Sequence, residues 1–189
     1  MSFYGGSSGF LCKVVMSLYH DNIKIAVMNI LYIGERDSAT TSGHRLAALE
    51  RLGHSITCLD LYSCLEPYLR SQFLSAVNHR NGYRTLQPLV GYILKKFFET
   101  SIDKFNLVWV NSGELLGRKA ILQIKFKLNT PIILYNNDDL TYGRDGRRWD
   151  SLLKALPEYD LLAVRKNSDE RFLSKRTSAK ILKIWMSYD

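Results

Sequence analysis

The chain has 189 residues, of which 46% are hydrophobic and 23% charged, with a formal net charge of +8. Such usage belongs to a globular chain with one core, or one and a half, and excludes wholesale disorder. Three cysteines, Cys12, Cys58 and Cys64, form no C-x-x-C pair, which excludes a disulfide framework or zinc knuckle and fits a cytoplasmic, reducing setting.

Residues 1–27 open on a Gly/Ser stretch, "SFYGGSSGF". The apolar segment "FLCKVVMSLY" contains Lys13 and has no basic residue ahead of it, so it reads neither as a signal peptide nor as a span of roughly 18–20 apolar residues. Met28 stands directly before the first convincing strand. Residues 1–27 are therefore read as a leader or an upstream start, and residues 28–189 as one folded unit.

From Asn29, "NILYIG" is a continuous apolar run closed by Gly34, the pattern of a strand buried on both faces. Leu46, Leu49 and Leu52 follow at helical spacing, with Thr41 or Ser42 as cap and Gly53 after the end. "SITCLD" is a second strand. Two helical stretches come next, one carrying Leu69, Phe73 and Val77, the other Leu89, Ile93 and Phe97, with "NHRNG" between them. "NLVWV" is a third strand and a helix with Leu116, Ala120 and Ile124 runs to Thr130 and Pro131. "IILY" is the fourth strand. Trp149, Leu152, Leu153 and Leu156 make a helix ended by Pro157, and "DLLAV" and "KILKIW" are strands five and six around a short helix at about Glu170 to Arg176.

Apolar strands alternating with helices predict an α/β, Rossmann-like fold: a parallel sheet of about six strands with helices on both faces. In such a sheet a ligand lies outside the carboxyl ends of the strands, where strand order reverses. The residues following each strand are then the candidates: Glu35 to His44, Asp60, Asn111 to Glu114, Asn136 to Arg148, and Arg165.

The first of these loops, "GERDSATTSGHR", brings Gly34, several hydroxyls and a helix N-terminus together, the parts of a phosphate or sugar-hydroxyl site. The same hydroxyls also serve as helix caps. G-x-G-x-x-G is absent, so Asp60 has little support as a ribose clamp, and no P-loop lysine motif occurs. His44 opens a helix at the cleft edge, where it can donate to a sugar hydroxyl, act as a base, or simply cover the sheet edge.

"NNDDLTYGRDGRRW", from Asn136, pairs carboxylates with arginines. No further acid or histidine follows at ligand spacing, so no metal is expected. One reading is an ion-paired loop. In the other, Asn136, Asn137 and Asp138 hydrogen-bond a polyhydroxylated ligand while Arg144 or Arg147 neutralises a phosphate. The two are compatible. A phosphorelay receiver would need an aspartate closing strand three, where Asn111 stands.

The basic charge sits largely on helix faces, at Arg118, Lys119, Lys125 and Lys127 and again from Arg165 to Lys183. Its sign attracts nucleic acid, an anionic membrane surface or phosphorylated substrates alike. Nucleic-acid binding is not expected, because no basic strand carries interleaved aromatics.

"MNILYIGERDSATTSGHRLAALERLGH", "NLVWVNSGELLGRKAILQIK" and above all "TPIILYNNDDLTYGRDGRRWDSLLKALPEYDLLAV" resemble the amino-terminal half of CgeB-like, spore-maturation-type glycosyltransferases of the two-domain GT-B architecture. The likeness runs from about Met28 to Asp189. It implies an acceptor-side Rossmann-like domain facing a second domain that grips a nucleotide-sugar donor, with the donor as co-substrate, a glycan or other hydroxylated acceptor, and no bound cofactor or metal. On that likeness His44 and Asp138 are the catalytic candidates. Gly34, Glu35, Thr40, Thr41, Ser42, Arg45, Glu114, Asn136, Asn137, Asp139, Tyr142, Arg144 and Arg147 would line the acceptor side.

Family members continue into the donor domain where this chain reads "KILKIWMSYD". The expectation is a truncated product, an isolated domain or one of two separately made halves, inactive without a donor-domain partner. The alternative is a non-catalytic module that binds a ligand, a partner protein or a second copy of itself.

Overall fold

The computed structural model describes residues 26–101 and 103–184. The leader expected over 1–27 lies outside them up to residue 25, as does Trp185 at the end of the predicted sixth strand. The strands are β1 (Asn29–Ile33), β2 (Ser55–Leu59), β3 (Leu107–Asn111), β4 (Ile132–Asn136), β5 (Leu161–Val164) and β6 (Lys180–Lys183). All pair in parallel, in the order β2-β1-β3-β4-β5-β6, which is the α/β, Rossmann-like sheet expected.

The helices are α1 (Thr41–Arg51), α2 (Leu61–Cys64), α3 (Glu66–Leu69), α4 (Gln72–Arg80), α5 (Gln87–Thr100), α6 (Arg118–Leu128), α7 (Asp150–Ala155) and α8 (Asn167–Leu173). Among the described residues none is long and apolar enough to cross a membrane.

Alternation along the strands divides the core in two. On one face Tyr32, Trp109 and Tyr135 stack in a row across β1, β3 and β4, with ring centroids 6.5 and 5.6 Å apart, beneath Leu46 and Leu49 of α1. On the other, Ile33, Val108, Val110, Leu134 and Leu162 pack against Val90 and Leu94 of α5, Ile121 and Ile124 of α6, and Leu152 of α7. Each such side chain, buried entirely, contributes about 1.5–3 kcal/mol. Both faces of the sheet are thus apolar, and that is why the strands read as uniform runs.

Local details depart from expectation. The cap of α1 is Thr40, whose hydroxyl accepts from the Gly43 N–H at 3.1 Å. Ser42 is instead buried in the first turn, against the Tyr32 hydroxyl. Helix α6 ends at Leu128 because Asn129 turns left-handed, with φ 46°; the Thr130 hydroxyl then donates to the Leu128 carbonyl at 2.9 Å. Trp149 lies in a 3-10 turn (Gly146–Trp149) before α7. Helix α8 begins at Asn167, ahead of the expected Glu170. Phe73 and Val77 of α4 face solvent, 75% and 42% exposed, because the side chain that α4 buries is Asn78, held to the Tyr68 carbonyl and to Thr85.

Candidate functional site

Strand β1 lies between β2 and β3, and the chain leaves β1 and β3 for opposite faces of the sheet, α1 on one and α6 on the other. Their diverging loops open a crevice at the switch point. Gly34 forms its floor. A Cβ there would lie 2.8–2.9 Å from the Ser42 hydroxyl, the Asn111 Cβ and the Tyr32 ring, so only glycine admits this packing.

Ser112 and Gly113 are both left-handed, with φ 64° and 82°. That turn directs Glu114 inwards, where it is 1% exposed. Glu114 forms a close ion pair with Arg148, whose guanidinium lies 4.6 Å from the centre of the Trp149 ring. Burial opposes the charge on Arg148, but the Glu114 carboxylate holds it protonated. Burial, and then Glu114, push the Tyr62 and Tyr83 hydroxyls up. Among the described residues Glu114 Oε2 has no hydrogen-bond partner. It borders the crevice, which is also lined by Gly34, Tyr62 and Asn111 and encloses about 10 Å³, room for one water molecule. Anything larger must sit above it, on the strand tips.

Glu35 follows the tip of β1, and Arg45 of α1 reaches the tips of β3 and β4. The Arg45 guanidinium donates to Asn111 Oδ1 at 2.9 Å and lies 4.2 Å from the centre of the Tyr135 ring, tying α1 to β3 and β4. Glu35 is half-buried. Burial pushes its carboxyl up from the ordinary range, and the carboxylates of Asp60, Glu114 and Asp37 add to the shift. Two of those neighbours have structural employment: Asp60 caps α2 through the Ser63 N–H at 2.9 Å, and Asp37 accepts from the Ala39 N–H at 2.9 Å. The Glu35 backbone carbonyl accepts from the Ser42 hydroxyl at 2.8 Å, while among the described residues none hydrogen-bonds its carboxylate. A half-buried carboxylate of raised basicity at a switch point has the properties of a general base.

The polar loop after β4 is chiefly bound to itself. Asn136 is 1% exposed and donates to the Ser112 carbonyl at 2.7 Å, while its own oxygen accepts from the Asp138 N–H at 2.8 Å. Asp138 pairs with Arg144 at 2.9 Å, and Arg144 also holds Asp145. Asp139 accepts from the Thr141 N–H and hydroxyl and from Lys166 Nζ at 3.0 Å, contacts that pull its pKa down to about 2. Asn137 is half-buried.

Of the fifteen residues expected in the site, Gly34, Glu35, Arg45 and Glu114 come together at the switch point. Thr40 and Ser42 are occupied in holding α1, Thr41 and His44 are exposed on its first turn, and Asn136, Asp138, Asp139 and Arg144 fold the β4 loop. Tyr142 and Arg147 lie on a separate cleft with Asp150. Asn111 and Arg148 fall within the candidate stretches after β3 and β4 but were not singled out as lining residues, and Tyr62 lies outside those stretches. Asn111 had a further signal, as a polar residue closing an apolar strand; the meeting of Arg148 and Tyr62 with Glu114 had none, since it exists only in the fold. Among the described residues no cluster of three or more His, Cys, Asp and Glu could hold a metal ion.

The chain matches no protein-family model, and no curated protein or solved structure is significantly similar to it.

Proposed function

We propose that residues 28–189 form the acceptor-side lobe of a nucleotide-sugar-dependent glycosyltransferase, the donor being held by a separate domain. One observation carries the reading: Glu35, a half-buried carboxylate of raised basicity that no described residue hydrogen-bonds, stands at the β1/β3 switch point, where an open sheet receives its ligand. The sequence resemblance to CgeB-like transferases supplies the reaction class. In this scheme the acceptor hydroxyl attacks the anomeric carbon of the donor, its proton passes to Glu35, and the nucleoside diphosphate leaves with the bonding electron pair. Arg45 and His44, neighbours on α1, donate to other acceptor hydroxyls. Asp138 is held by Arg144, so its task is to shape the loop, and Glu35 takes the acid–base role in its place.

The test combines saturation-transfer NMR against a panel of oligosaccharide acceptors with transfer assays in which nucleotide sugars and a donor-binding domain of a related enzyme are supplied. Acceptor binding by the wild-type chain and loss of about 10²–10⁴-fold in turnover in Glu35→Gln, with binding retained, are expected. Acceptor binding without turnover under any condition would instead favour a non-catalytic binding module. Absence of any saccharide signal sinks both.

A further inference from the structure

A second concavity shares no lining residue with the crevice at Glu114. It has a volume of about 570 Å³ and runs along the outer side of α7, the scale of a small-molecule site. Four cations from four separate segments line it. Arg84 follows α4, Arg147 belongs to the 3-10 turn before α7, Lys154 lies on α7 and Arg176 follows α8. The one carboxylate among the lining residues is Asp150, leaving a surplus of three positive charges.

The guanidinium groups are set in place. Asp150, with its side chain 8% exposed, receives Arg84 at 2.7 Å and Arg147 at 3.1 Å on the same oxygen. Arg176 stacks on the Phe172 ring at 3.5 Å and donates to the Phe172 carbonyl at 2.9 Å. Tyr142 meets the same ring edge-on at 5.9 Å. It is held in the left-handed region, with φ 69°, a conformation that costs a bulky side chain free energy and turns up most often at functional positions. Leu153 and Pro157 add an apolar wall. A solvated basic surface needs none of this ordering. Arginine forks held by one buried acid, with charge left over, suit the paired oxygens of phosphate.

We infer that this cleft binds a compact phosphorylated ligand carrying at least two negative charges, its phosphate or diphosphate held by Arg84, Arg147, Lys154 and Arg176 and its remainder resting on Tyr142 and Pro157. The inference stands independently of the transferase reading, since Glu35 takes no part in it.

The experiment is calorimetric titration of the purified chain with inorganic pyrophosphate at about 0.15 M salt, where long-range attraction is largely screened. The expected result is saturable 1:1 binding, weakened at least about tenfold in Lys154→Gln/Arg176→Gln, changed less than about twofold in Lys119→Gln/Lys127→Gln, which removes the same charge from α6, and unchanged in Glu35→Gln. Lys154→Gln alone gives a smaller loss in the same direction and serves if the double variant folds poorly. Absence of saturation, or equal weakening by both double variants, overturns the proposal in favour of a diffuse basic field. Adsorption to phosphatidylserine vesicles that pyrophosphate does not displace would replace it with a membrane-surface role.

Discussion

At the scale of single residues, the charged groups divide by what they engage. Glu114 and Arg148 are a nearly buried ion pair, and removing one partner strands the other. Glu114→Gln is expected to lower the unfolding free energy by about 3 kcal/mol in a denaturant titration, and Glu114→Leu/Arg148→Met to recover most of that loss. Glu35 and Asp139 respond to pH in opposite senses. The Glu35 carboxyl is raised above its ordinary 4.5, so the folded chain binds its proton more tightly than the unfolded chain, and stability falls as pH rises past that value. Glu35→Gln should therefore raise the melting temperature at pH 7, with the gain vanishing below pH 4.5. Asp139 is pulled from 3.8 to about 2; its contribution is present above pH 3.8 and is lost as pH falls towards 2. Asp139→Asn should be less stable than wild type at pH 7 and match it near pH 2, read by the same melting curves. The sequence showed that "NNDD" was dense in charge, but not which groups were already satisfied, since Lys166 and Ser112 reach Asp139 and Asn136 from other loops.

At the scale of elements, the start of α1 shows where pattern reading stops. Thr40, Thr41 and Ser42 are consecutive hydroxyl residues with the same capping chemistry, and the choice between them is made by Tyr32, which draws Ser42 inwards. Gly43 makes that entry possible: a Cβ there would lie 2.0 Å from the Asp37 carbonyl oxygen, which is backbone and cannot yield. Gly43→Ala is expected to destabilise the protein by about 2–4 kcal/mol in denaturant unfolding and to displace Arg45 from Asn111, visible as loss of the acceptor binding proposed above. Helix α4 teaches the converse. Phe73 and Val77 recur at helical spacing and the helix forms, but its apolar stripe is not the side that packs. Periodicity reports that a segment is helical; the neighbours decide which side is covered.

At the scale of the molecule, the inner strands β1, β3, β4 and β5 were legible because a sheet covered on both faces leaves them nearly uniformly apolar, whereas the edge strands β2 and β6 are only partly buried and expose Ser55, Lys180 and Lys183. The two clefts were less legible, because their defining contacts join Glu114 to Arg148 and Arg45 to Asn111 in the one and Arg84 to Asp150 in the other, pairs far apart in the chain. The strand order has a kinetic corollary. The connection 60–106 between β2 and β3 is more than twice as long as 112–131 between β3 and β4, so closing it carries the larger loop entropy. Two sub-assemblies, β1–β2 and β3–β6, are then expected to mature first and to join along β1/β3. Asn106 stitches that seam, accepting the Asn29 N–H at 2.8 Å through its side chain and donating its own N–H to the Asn29 carbonyl at 2.8 Å. Asn106→Ala should accelerate unfolding in stopped-flow experiments while leaving the refolding limb almost unmoved. On that order the groove at Glu35 is the last stitch of the sheet to close, and a ligand of the kind proposed above would act as a clasp on it, slowing the parting of the two halves more than it hastens their union.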